Sequence, residues 1–397
     1  MVTVLPGPLL PVMAARWGLR DVQSGAFFAA EFAASTVGAI FSPHWLRRNL
    51  PLGYLAMTSG VLLLTVAGGT ARAMLGHDLA LAAFALIGLG TGLSVTATNL
   101  SVGMMGDSTA QTAVRSALQS ARPAAAWPGE RARQISIVNL WWGIGAVACP
   151  WLVAAAERGG FLRGLLLGAA LGTAAMFVGL SPLLRSADGE ALSLPRGALA
   201  ADARILVFFA AFLSLYVGVE TVVGGWIATY AHRFGGMTLA HASLTVSLYW
   251  IALLAGRWVG SVALKNVAER TVLAPGLGVA LIGVATLLAP HSTAAMLIAV
   301  AIAGAGFGPV FPIGLSRMLA RVRDHRNTGW VFAMCASGGA VLPWVTGLVS
   351  TRSGSLRIGF AVPLAALAAI LVLALGENAL LGGGGTELRK KTECWPD

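Results

Sequence analysis

ARILVFFAAFLSLYVGVETVVGGWIATYA, residues 203–231, carries Arg204 at its start and Glu220 as the one charged side chain within it. A stretch this long and this apolar is suited to crossing the hydrocarbon of a bilayer as one helix. Eleven further stretches of similar character surround it, roughly at 1–15, 22–43, 52–73, 79–105, 134–155, 160–183, 239–264, 271–289, 293–318, 328–350 and 356–376. The whole chain of 397 residues is 57% hydrophobic and only 11% charged, with a mean hydropathy of +0.78. Soluble domains carry about 25% charged residues, and a soluble fold could not hide so much apolar surface. The sequence predicts an all-α integral membrane protein of twelve spans. Glycine and proline occur freely inside the spans, as membrane helices tolerate.

The net charge of +11 does not point to nucleic acid. Lys and Arg are scattered singly or in pairs between apolar runs, with no basic helix or aromatic-studded basic sheet. Their placement reads instead as orientation. With the N-terminus inside, 18 of the 27 fall in cytoplasmic segments or the span ends beside them, 8 in outer loops or the span ends beside them, and Arg257 alone lies well inside a span. That bias recurs loop after loop, which predicts both termini on the cytoplasmic side of the inner membrane. The opening stretch MVTVLPGPLLPVMAARWGL lacks a basic region, so it does not read as a cleavable signal. As a helix the span 1–15 covers only about 22 Å against a core of about 30 Å, and it reads as a first span shortened at its start. Cys149, Cys335 and Cys394 form no CxxC and no Cys/His cluster, so neither a disulfide framework nor a metal site is expected.

The chain repeats itself. GAVACPW at 145–151 returns as GAVLPW at 339–344, one residue shorter. Gly88, Gly90 and Gly92 in the fourth span are matched by Gly304, Gly306 and Gly308, before Pro309, in the tenth. These glycines lie inside apolar helices with no strand before them, so they indicate close helix packing and not a phosphate loop. The expected organisation is a six-helix unit at 1–183, a cytoplasmic linker at 184–202, a second six-helix unit at 203–377 and a flexible tail at 378–397. A second polar loop is expected at 106–133.

Over essentially its whole length the chain resembles the major facilitator superfamily, and within it the fucose–galactose–proton symporter family. The residues that carry the likeness are GLGTGLSVTATNL (88–100), NLWWGIGAVACP (139–150), YVGVETVVGGW (216–226), Gly256-Arg257 and GFGPVFPIGL (306–315). The resemblance implies two pseudo-symmetric six-helix bundles working by alternating access about a site near the midplane. Two family features are missing. GAIFSPHWLRRNL (38–50) has arginines but no Asp where facilitators carry Gly-x-x-x-Asp-Arg-x-Gly. Spans one and four lack the acids of fucose-type symporters, so the family's proton-coupling scheme does not transfer whole.

Ionisable groups inside a membrane are costly, about 2.5–3.5 kcal/mol for Asp, Arg or Lys at a helix centre. Of the 16 acids only Glu31 and Glu220 sit well inside spans, which makes both proton-coupling candidates. Each could instead be a structural carboxyl bonded to a neighbouring helix. Arg257 in the eighth span reads either as a gate or ion-pair partner or as a side chain that snorkels to the cytoplasmic face. The amides of Asn99 and Asn139 suit polyol hydroxyls, or bond between helices. Trp142, Tyr216 and Trp250 could stack on a sugar ring. Trp226 and Tyr230 read as an interfacial belt.

The expected function is secondary active transport of a small polar solute with proton coupling, and the sugar or polyol assignment rests on the resemblance. A proton-driven exporter of amphipathic compounds is the alternative. No nucleophile–base motif, metal cluster or cofactor fingerprint stands out, so neither an enzyme nor a bound cofactor is expected. The expected partners are the lipid bilayer, the solute and the proton, with no nucleic acid, and the chain is expected to be a monomer.

Overall fold

The structure is a computed structural model. It describes residues 1–42, 46–70, 72–120, 130–185, 199–264, 267–289, 292–321 and 328–381, with side chains for all of these except 46, 99–120, 130–141, 199–202, 319–321, 328–330 and 332.

The described residues form α1 (Pro6–Trp17), α2 (Asp21–Phe41), α3 (Leu46–Ala67), α4 (Ala73–Ser120), α5 (Glu130–Gly159), α6 (Leu162–Leu180), α7 (Leu199–Phe234), α8 (Leu239–Ala263), α9 (Glu269–Thr286), α10 (Thr293–Phe307), α11 (Val310–Arg321), α12 (Thr328–Ser353), α13 (Leu356–Gly359) and α14 (Ala361–Leu381). Ten helical stretches among the described residues are long and apolar enough to cross a membrane. The surface is apolar where a soluble protein would be polar: Leu171 is 72% exposed, Val207 69% and Val372 68%. In lipid that surface carries no penalty, and backbone polar groups are satisfied within the helices.

All twelve predicted spans are helical, with four changes of detail. The third starts at Leu46, not 52, because Arg47, Arg48 and Asn49 form its first turns and Asn49 Nδ2 bonds back to the Ser42 carbonyl at 2.8 Å. It ends at Ala67, before the turn at Gly68 and Gly69. The fourth does not give way to a loop at 106, since α4 runs on to Ser120. The tenth breaks at Gly308-Pro309 into α10 and α11. A proline there removes an N–H and crowds the preceding turn. The twelfth breaks at Phe360, three residues before Pro363, which likewise lacks the donor that would bond back to Gly359.

Packing repeats between the halves, and the paired glycines show how. A Cβ on Gly88 would lie 1.8 Å from the Glu31 carbonyl of α2, and one on Gly92 would lie 2.1 Å from that of Ser35. Gly90, turned away, would meet the Gly53 carbonyl of α3 at 2.3 Å. In the second half Gly304 and Gly308 face α8, at the Tyr249 carbonyl (2.6 Å) and the Arg257 nitrogen (2.3 Å). Gly306 faces α9, at the Ala280 nitrogen (2.3 Å). So α4 lies on α2 and α3 as α10 lies on α8 and α9, in backbone contact that only glycine permits.

The halves meet where α2 packs on α12, α5 on α8, and α1 on α7 and α8. Prolines lie inside the helices at these seams, among them Pro11 in α1, Pro150 in α5 and Pro343 in α12. Side chains from neighbouring helices bond carbonyls near these prolines: Ser247 Oγ donates to the Val147 carbonyl at 2.9 Å, and Trp226 Nε1 to the Pro343 carbonyl at 3.1 Å.

Candidate functional site

Glu220 is midway along α7, and Arg257 projects toward it from α8. Arg257 Nη2 is 3.6 Å from Glu220 Oε1, and the two side chains are 17% and 12% exposed. Arg257 does not snorkel to the surface. The carboxylate gives it a partner inside, which offsets the cost of leaving water. The contact is longer than a charge-assisted hydrogen bond of about 2.7–2.9 Å, so the pair is loose, and the buried Arg257 Nε has no hydrogen-bond partner.

Aromatic side chains wall this pair. Tyr216, one turn before Glu220 on α7, donates its hydroxyl to the carbonyl of Phe307 at 3.2 Å. Phe307 is the last residue of α10, where the helix breaks. Tyr249 of α8 reaches the Glu220 carbonyl at 3.5 Å. The rings of Tyr216 and Tyr249 meet Phe307 edge-on at 6.0 and 6.2 Å. A carboxylate, a guanidinium and two phenols thus share one buried cluster on α7, α8 and the α10 break. Such a cluster can hold a proton on Glu220 or release Arg257 when it does.

Trp142 of α5 and Trp250 of α8 meet edge-on at 5.1 Å across the seam between halves. Trp250 also meets Tyr249 edge-on at 5.1 Å, which ties this aromatic pair to the Glu220 cluster. Trp142 Nε1 donates to Thr3 Oγ1 at 3.2 Å. Trp250 Nε1 is buried with no partner, a donor left open.

Glu31 stands apart on α2. It is 3% exposed, and its Oε2 has no hydrogen-bond partner. Asn99 and Asn139 fall on side chains outside the described residues. Trp226 and Tyr230 are not interfacial: both are fully buried, with Trp226 bonded to the Pro343 carbonyl and the Tyr230 hydroxyl to the Leu287 carbonyl.

One cluster was missed in the sequence. Asp21, the first residue of α2, receives Arg233 Nη1 at 2.7 Å and Nη2 at 2.5 Å from the far end of α7. Ser350 Oγ of α12 donates to the same carboxylate at 2.5 Å. In the sequence Asp21 lies just before the second span and Arg233 just after the seventh, and nothing there pairs them.

No protein-family model matches the chain. A glucose/galactose transporter of Brucella abortus biovar 1 (strain 9-941) is 27% identical over 194 residues, 48% of this chain and 47% of that one, so the match spans about half the length of the curated relative. Among solved structures, the major facilitator transporter FucP in its outward conformation aligns at a TM-score of 0.61 and 16% identity, covering 94% of this chain and 95% of that one. A peptide transporter POT aligns at 0.66 and 15%, covering 96% and 93%. The chain has the major facilitator fold, and the structures it resembles are membrane transporters.

Proposed function

We propose that this chain, carrying the major facilitator fold, is a secondary transporter that moves a small polar solute by alternating access, with Glu220 as the proton-carrying group. The observation that carries the reading is the buried Glu220–Arg257 pair, 3.6 Å apart at the centre of the second six-helix unit. An intramembrane ion pair is expensive and is retained where it does a job. When Glu220 is ionised it holds Arg257. When a proton neutralises it, Arg257 is released to new partners. Proton occupancy thereby changes how α7 and α8 are tied together.

A sugar or polyol is the solute class we favour. The partial relative is a glucose/galactose transporter, and one structural neighbour is described as a fucose:proton symporter. The unpartnered Trp250 indole N–H and the Trp142–Trp250 aromatic faces suit a ring that is apolar on one side and hydroxylated at its edge. Asn99 and Asn139 remain candidates for the same task. Glu31, at mid-membrane in the other half, is a second candidate for the proton. The division into units at 1–183 and 203–377, with both termini cytoplasmic, belongs to this reading.

The test is reconstitution of the purified chain into liposomes. A thermal-shift screen against sugars, polyols, amino acids and amphipathic drugs first selects ligands. An inward proton gradient should then drive accumulation of the selected polar solute. Absence of flux for every ligand contradicts transport. Outward-directed movement of drugs alone, read in inside-out vesicles, replaces it with the exporter reading.

A further inference from the structure

We propose that Asp21, Arg233 and Ser350 form a latch that closes one mouth of the molecule and must break for that mouth to open, an inference that rests on the alternating-access reading. Asp21 begins α2 in the first six-helix unit. Arg233 ends α7 and Ser350 lies near the end of α12, both in the second. The contact therefore crosses from one half to the other. It lies ten residues from Glu31 along α2, about 15 Å at helical rise, at the end of α7 away from Leu199. The charge bias of the loops places that end outside.

The geometry is that of a fastening and not of a chance surface pair. The guanidinium takes both carboxylate oxygens of Asp21, at 2.7 and 2.5 Å, in the bidentate arrangement that fixes orientation as well as distance. The Asp21 side chain is only 7% exposed while that of Arg233 is 37% exposed, so the carboxylate is shielded from water and the guanidinium keeps one side in it. Ser350 adds a third donor to the same carboxylate. Next to it, the backbone N–H of Val22 is capped by Thr351 Oγ1 at 2.9 Å, again from α2 to α12. Arg357 covers the neighbouring Phe234 ring at 4.6 Å.

Beneath the latch the halves stay in contact. A Cβ on Gly25 would lie 3.0 Å from the Trp344 backbone, and one on Gly347 would lie 2.4 Å from the Asp21 carbonyl. Ser24, beside this layer on the first turn of α2, is 1% exposed. Opening the mouth requires Asp21 to leave both Arg233 and Ser350 at once. Each is then exposed to water, so the pair biases the two-state equilibrium without blocking it.

The test uses the full chain with Cys149, Cys335 and Cys394 replaced by serine and Ser24→Cys added. Its readout is the rate at which a membrane-impermeant thiol reagent modifies position 24 from the outer face, with no solute and no gradient. Asp21→Asn or Arg233→Gln should raise that rate about tenfold or more, because the closed state loses its charge-assisted bonds. The charge-exchanged double variant Asp21→Arg/Arg233→Asp should bring it back toward the starting value. Arg233→Lys, which keeps the charge but not the fork, should fall between and serves if a neutral variant does not fold. Unchanged rates in all single variants overturn the latch. So does a raised rate that charge exchange fails to lower. A latch that behaves as stated in a protein that moves no solute leaves the latch standing and removes the transport reading.

Discussion

Arg257 reaches Glu220 across 3.6 Å inside the membrane-spanning region, from α8 to α7, beside Tyr216, whose ring meets Phe307 edge-on where α10 ends. Within this cluster each finds its opposite charge in the other, and that mutual dependence governs how each responds to substitution.

Removing one member of the pair should be worse than removing both. Arg257→Ala leaves a buried carboxyl unpaired and should destabilise the fold by about 3–5 kcal/mol, the usual cost of orphaning a buried charge. Adding Glu220→Gln to Arg257→Ala should recover part of that loss. Denaturation of the four proteins in detergent gives the double-mutant cycle, and an additive result contradicts the pairing.

Glycine contacts between helices yield a second expectation. Gly88→Ala sets a methyl 1.8 Å from the Glu31 carbonyl, so α2 and α4 must separate. It should cost about 1–3 kcal/mol, in the range of overpacking. Gly168→Ala in α6 meets nothing within 4 Å and should be neutral or slightly stabilising. Melting temperatures of the two variants decide between close packing and mere composition.

Trp142 and Trp250 bind the solute in this account. Trp250→Phe keeps an aromatic face but removes the unpartnered N–H, and it should weaken solute affinity by roughly tenfold, the worth of one hydrogen bond. Trp142→Phe instead frees Thr3 Oγ1, and should perturb affinity less. Binding isotherms of the ligand found by thermal shift measure both. Equal, negligible effects would assign these tryptophans to packing.

Glu31 separates from Glu220 by isosteric replacement. Glu31→Gln preserves shape and removes only ionisation, and should retain gradient-driven accumulation. Loss of accumulation in that variant would move the proton to α2.

The membrane class, the twelve helical spans and the repeated glycine layers were legible in the sequence because hydropathy and small-residue spacing are local. The break at Gly308-Pro309 was not, since prolines elsewhere, such as Pro150 and Pro343, sit inside unbroken helices. Only packing decides which proline interrupts a span. Glu220 and Arg257 stood out singly through the rarity of charge in hydrocarbon. Their pairing depends on the rotation of α7 against α8, which no periodicity encodes. Asp21 and Arg233 escaped notice because charge at a span end is ordinary, and only the contact across halves made it specific. Trp226 and Tyr230 were assigned to the interface by position along the span, whereas packing against α12 and α9 buries them.

The central claim is tested most directly with Glu220→Gln in liposomes loaded with the selected solute. The account predicts that unlabelled solute inside still exchanges for labelled solute outside, while a proton gradient no longer drives accumulation. Accumulation at the wild-type level in that variant would contradict it.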